Sequence, residues 1–180
     1  MKKLAILMLA IAAAMASCQT DRKDQVVTVK NKYTISLPPF VKESTGLNDD
    51  ASLQYQNSLR EFYVVVIDES KSEFEKALSD NDLNDLYPKN IKGYSELLMF
   101  GMEQAIEIKS KSMLRDTVIN NQPARLQTIK GRVEGIDIFY SIGFIQGIKR
   151  YYQIITWTLQ NKEKEHAGVM KKIIASFKEV

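Results

Sequence analysis

The sequence predicts an α+β fold, a largely antiparallel sheet of about six strands packed between helices. Three observations carry this expectation. Residues 113–159 hold four β-prone runs joined by connections too short for anything but antiparallel neighbours. Apolar residues fall at helical spacing after Ser72, across 91–109 and in the last twenty residues. Finally, Phe62-Tyr63-Val64-Val65-Val66-Ile67 is apolar at odd and even positions alike, as a strand covered on both faces requires.

In chain order, Val26-Val27-Thr28-Val29 and Tyr33-Thr34-Ile35-Ser36-Leu37 flank Lys30-Asn31-Lys32 and stop at Pro38-Pro39, which predicts a hairpin or bulged pair. A loop through Gly46 and Asn48-Asp49-Asp50 leads to strands over 53–57 and 62–67. Ser72 with Glu75 three residues on reads as a capping box, followed by Phe74, Ala77 and Leu78 on one stripe. After Pro88 a longer helix is expected over 91–109, with Tyr94, Leu97, Leu98, Gly101, Met102, Ala105 and Ile108 aligned. Strands over 113–119, 124–130, 136–145 and 150–159 follow, turning at Asn120-Asn121-Gln122-Pro123, Glu134-Gly135 and Gly147-Ile148-Lys149. Asn161 is a suitable cap for a final helix that carries Met170, Ile173, Ile174 and Phe177 on its apolar side.

This order resembles the PsbP/Mog1-like superfamily and the small bacterial lipoproteins related to it. The resemblance rests on the early strand ending in Pro38-Pro39, the Tyr-rich late strands with Phe139-Tyr140 and Tyr151-Tyr152, and the closing Ile173-Ile174-Ala175-Ser176-Phe177-Lys178. It extends over nearly all of 26–178 and implies an α/β/α sandwich. It also implies binding or assembly work, although a shared fold names no partner.

The N-terminus speaks to location. Lys2 and Lys3 precede an uncharged apolar run from Leu4 to Ala16, shorter than the about 20 residues a transmembrane helix needs. Met15-Ala16-Ser17-Cys18 resembles the lipobox of bacterial lipoproteins, with Met15 where Leu is commonest. That resemblance implies a diacylglyceryl thioether on Cys18, cleavage just before it, and acylation of the new amino group, with palmitate a typical chain. A competing reading cuts after the small-x-small triplet Ala14-Met15-Ala16 and leaves Cys18 as a free or intermolecularly paired thiol. With lipidation, residues 1–17 are signal peptide, 18–25 are the lipidated cysteine and a polar tether, and 26–180 form one domain. Two or three acyl chains, at about 0.8 kcal/mol per buried methylene, hold a protein on a membrane where one would not. Gln19 after the cysteine favours the outer membrane by the sorting rules of many Gram-negative lipoproteins, and Asp21 and Asp24 fit a surface-export signal known in some groups.

Composition narrows the function classes. The formal net charge of +3 includes Lys2 and Lys3, so the domain is close to neutral and offers no bulk electrostatic reason to bind nucleic acid. Cys18 is the sole cysteine, so no internal disulfide can form. His166 is the sole histidine, which removes histidine-clustered metal sites and, with Cys18 lipidated, any Cys/His pair. Its place one turn before Met170, with no nucleophile motif to serve, reads as a partly buried or surface histidine rather than a catalytic base. Asp80-x-Asp82-x-Asn84 imitates the start of a calcium loop but has Asp85 where Gly is required and Ile91 where Glu is required. Asn48-Asp49-Asp50 reads as a solvated turn, and no phosphate-binding glycine loop is present. No cofactor is expected.

Two clusters are candidates for a partner surface. Tyr151, Tyr152 and Trp157, with Tyr140 and Phe144, either expose an adhesive aromatic subset or fill the core, and core is the stronger reading. Lys149 and Arg150, with Lys130, Arg132, Lys171 and Lys172, could converge at one end of the sheet. The sequence therefore predicts a lipid-anchored envelope protein, on the periplasmic or outer surface of the outer membrane, that binds an envelope protein without catalysis. The alternatives are a carrier of an apolar or lipid-like ligand held between sheet and long helix near Met99, Met102 and Met113, and, third, a hydrolase with an acidic site assembled by folding.

Overall fold

The computed structural model describes residues 23–180. The strands are β1 Gln25–Val29, β2 Tyr33–Leu37, β3 Lys42–Glu43, β4 Ala51–Asn57, β5 Phe62–Ser70, β6 Glu107–Lys111, β7 Arg115–Ile119, β8 Gln122–Val133, β9 Ile136–Gln146, β10 Arg150–Leu159 and β11 Lys178–Glu179. The helices are α1 Lys71–Asp80, α2 Ile91–Ala105 and α3 Glu163–Ala175. One antiparallel sheet runs β3-β4-β5-β10-β9-β8-β6, with β7 pairing the first half of β8 where β6 pairs the second. This sheet has eight strands where the sequence suggested about six, and β1-β2-β11 form a separate three-stranded sheet.

Side-chain alternation divides the core. Tyr151 and Tyr152 are neighbours on β10 and so point to opposite faces. Tyr151 joins Phe74, Tyr94, Ile129, Ile142 and Phe144 beneath α1 and α2. Tyr152 joins Tyr33, Phe62, Val64, Ile154, Met170, Ile173 and Phe177 beneath α3 and the small sheet. The expected central strand is β5, where Phe62, Val64 and Val66 bury on one face and Val65 on the other. Each such side chain stabilises the fold by about 1.5–3 kcal/mol on burial.

Several local expectations shift. The capping box is Ser70 with Glu73, two residues earlier than expected: Ser70 keeps the extended backbone of β5 while its hydroxyl accepts from the Glu73 amide, and the Glu73 carboxylate accepts from the Ser70 amide. The long helix ends at Ala105 rather than 109, because Ile106 is extended and Glu107-Ile108-Lys109-Ser110-Lys111 hydrogen-bonds along the open edge of β8. Ile108 suits both periods, and the edge decides between them. Asn161 caps nothing, since it lies in a 3₁₀ turn, Gln160–Lys162, ahead of α3. The turn at Glu134-Gly135 stands as expected, while the one at Asn120 is tighter, since Gln122 and Pro123 already pair with Ile119 and Val118; both residues of each two-residue turn have positive φ, as tight hairpins demand.

Candidate functional site

The segment between β6 and β7 is tied to the sheet by Ser112, whose carbonyl accepts from Gln127 Nε2 at 2.7 Å and whose hydroxyl accepts from the Thr128 amide at 2.9 Å. At the other end of β7, Asn120 Nδ2 donates to the carbonyls of Phe177 at 2.5 Å and Ala175 at 3.4 Å, just past α3 and at its last residue. The ends of β7 and α3 are thereby pinned together. Between them α3 sits close on the sheet, because Gly143 on β9 has no side chain: a Cβ there would lie 2.5 Å from Ile174 Cγ2. A groove of about 770 Å³ remains between α3 and β7.

Its outer wall is Met113, Thr117 and Ile119, its floor Leu126, Thr128 and Ser141, and its inner wall Ile174 and Ala175. Met113, 88% exposed, puts apolar surface at the groove's mouth, whereas Val118 lies on the Asp116 face of β7 and turns its side chain away. Arg115 and Lys171 are the only charged residues of the lining, which holds no Asp, Glu, His or Cys. Among the described residues neither cation forms an ion pair. The buried Gln127 Oε1 has no hydrogen-bond partner. The polar groups of the lining besides the two cations are the hydroxyls of Ser112, Thr117, Thr128 and Ser141 and the Gln127 amide.

The residues singled out from the sequence disperse. Tyr151 and Tyr152 are core, which corrects their place in a partner surface. Trp157 is half-buried and stacks on Tyr63 at 5.1 Å. Lys149 is exposed and lines a smaller recess of about 330 Å³ with Arg150, Asn31, Tyr152 and Glu179. Arg150 is committed to Asp68, a buried carboxylate that also holds Lys32. The basic residues do not converge: Lys130 pairs with Glu163 and Arg132 with Asp137 near the β8–β9 turn, at the opposite end of the sheet from Arg150. The hydrogen bond from Arg132, with a second from Lys109 at 2.6 Å, lowers the pKa of the Asp137 carboxyl to about 2.

His166 is fully packed, 5.0 Å from the Phe62 ring, with Nε2 3.3 Å from the Arg60 carbonyl. In the calcium-like stretch Asp80 pairs with Lys76 and Asn84 donates to Ser79, and among the described residues no three acidic, His or Cys groups converge. The space between sheet and α2, where a ligand was the alternative expectation, is filled by Tyr94 stacked on Tyr151 at 4.5 Å, with Phe74 and Met99. Met113 instead belongs to the groove on the other face. Cys18 lies outside the described residues. Sequence reasoning missed Arg115, Leu126 and Ile174 as groove residues, because their grouping depends on where α3 lies.

The architecture is a mostly antiparallel sheet between a two-helix layer and a helix-plus-hairpin layer, with an open groove beside α3. No protein-family model matches the sequence, and no curated protein matches it. Solved structures match in fold. Cyanobacterial PsbP from Synechocystis aligns with a TM-score of 0.53 at 11% identity, covering 91% of this chain and 98% of that one. LpqN of Mycobacterium tuberculosis, described as involved in cell envelope biogenesis, aligns at 0.53 and 9% identity, covering 88% and 91%. The Saccharomyces cerevisiae Ran-binding protein Mog1p lies further off, at 0.47 and 12% identity, covering 86% and 94%. At these identities the likeness is one of fold, and the fold is that of the PsbP and LpqN structures. Among the described residues no helix is long and apolar enough to cross a membrane.

Proposed function

We propose that this protein is a lipid-anchored binding or assembly factor of the cell envelope, acting without catalysis and through the groove beside α3. The observation that carries the reading is the groove itself, open and apolar on a domain whose other large face is closed by two helices. The lipobox-like Met15-Ala16-Ser17-Cys18 supports the anchor, and Gln19 supports the outer membrane as its site, on the periplasmic or surface face. An envelope protein is the partner in this reading. A carrier of an apolar or lipid-like ligand is the second reading, favoured because about 770 Å³ falls within the ordinary volume of a small-molecule site.

A photo-crosslinking residue at Met113 of the full chain, activated in cells, is expected to capture an envelope component. The same residue at Leu59, exposed on the β4–β5 turn, is expected to capture none. Equal capture from both positions overturns the groove as the binding surface. Cys18→Ala is expected to abolish palmitate incorporation and membrane attachment, and their persistence overturns the anchor.

A further inference from the structure

We infer that the groove between α3 and β7 holds a single-chain anionic amphiphile of the fatty-acid type, its chain along the apolar walls and its head met by Arg115 and Lys171. The inference rests on the second reading above, in which the groove carries an apolar or lipid-like ligand, and names that ligand's class. Charge is the first argument. The lining carries two cations and no carboxylate, although the domain as a whole is nearly neutral. Neither cation is neutralised from its own element: on α3 the positions one turn from Lys171 are Ala167 and Ala175, and Arg115 faces Leu126 across the β7–β8 pair. Asp116, the nearest acid in sequence, points to the other face of the sheet and pairs with Arg125 at 2.7 Å. Unpaired cations beside an apolar wall suit a ligand that is anionic at one end and hydrocarbon beyond it.

Polarity along the groove is the second argument. Asn120 closes the end where Ile119, Ile174 and Ala175 meet, and that end is apolar. Arg115 and Lys171 precede this junction on β7 and α3 respectively, so both cations lie away from the closed end. A chain thus inserts towards Ile119 while its head stays near solvent. The volume suits one chain rather than a patch of bilayer, and a partner peptide would leave the pair of cations unexplained unless it were acidic.

The test uses the full lipidated protein in phosphatidylcholine nanodiscs and a diazirine-bearing hexadecanoic acid, beside the matching alcohol, amine and phosphatidylglycerol probes. Acid adducts are expected on residues 113–119 and on Ile174, several-fold above the other three probes. Arg115→Gln with Lys171→Gln is expected to cut acid labelling about tenfold, equivalent to weakening binding by one decade, without changing alcohol labelling. Ala175→Leu, at an exposed helix position, is expected to fill the closed end and suppress acid labelling. Thermal unfolding of each variant confirms that it is folded. Labelling by alcohol, amine or phosphatidylglycerol equal to the acid overturns the inference, as does acid labelling outside the groove or labelling that survives all three substitutions. Capture of an envelope protein from Met113 in cells with no acid labelling in nanodiscs removes this occupant and leaves the proposed function standing.

Discussion

The two faces of the large sheet are covered by different amounts of structure. Beneath α1 and α2 the rings of Phe74, Tyr94, Phe144 and Tyr151 interlock edge-on and stacked, with separations of 4.5–6.2 Å. Beneath α3 a second aromatic node, Tyr33, Tyr152 and Phe177 at 4.8–5.5 Å, anchors the small sheet, but one helix does not reach β7. The closed face is therefore the stabilising one across its width. The other divides into a packed half and an open half, and the open half is where binding becomes available without dismantling the core.

The largest effect that distinguishes the faces is expected from Tyr94→Ala. It removes a ring packed on three others and is expected to cost about 3–5 kcal/mol in chemical denaturation. A loss below about 1 kcal/mol would show that the helix face is not the main store of stability. Gly143→Ala comes next. Its methyl meets Ile174 and, at 3.3 Å, Leu126, so α3 must move off the sheet at an overpacking cost of about 1–3 kcal/mol, with probe binding in the groove altered as well.

Alkaline pH offers a comparison at intermediate size. Burial, the largest cause, pushes the phenols of Tyr33, Tyr94 and Tyr152 above their ordinary value of 10.0. The folded state then keeps protons that the unfolded chain releases, so their contribution is fully present below pH 10 and is lost as pH rises beyond it. Melting temperature is expected to fall above pH 10, and Tyr94→Phe to make that fall shallower. An unchanged slope would remove burial of this phenol as its cause. Smallest is Met113→Ala, which is expected to change stability by less than about 0.5 kcal/mol because the side chain is exposed, while reducing acid-probe labelling. A large loss of stability would mean that the groove wall is core.

Much of the fold was legible because period and turn chemistry are local. The uniform apolar run of β5 announced a strand covered on both faces, and Asn120-Asn121 and Glu134-Gly135 announced hairpins through their tolerance of positive φ. The capping box was displaced because Ser70 and Ser72 both stand three residues before a Glu, and only the direction of the chain leaving β5 selects Ser70. The end of α2 was missed for a related reason, Ile108 fitting either period until the edge of β8 supplies partners.

The site was far less legible. Tyr151 and Tyr152 look alike in sequence and lie on opposite faces, both buried, while Met113 and Lys171 are far apart in the chain and line one groove. By itself the sequence determined the α+β class, most of the strands, the scarcity of catalytic residue types and the expectation of a lipid anchor at Cys18, since each depends on residue type, spacing or a short motif. Only the tertiary structure decided that the first hairpin leaves the main sheet, that the basic residues separate, and that a groove opens beside α3. Those outcomes depend on how much of a face one helix can cover, and coverage is a property of packed elements that no local stretch of residues encodes.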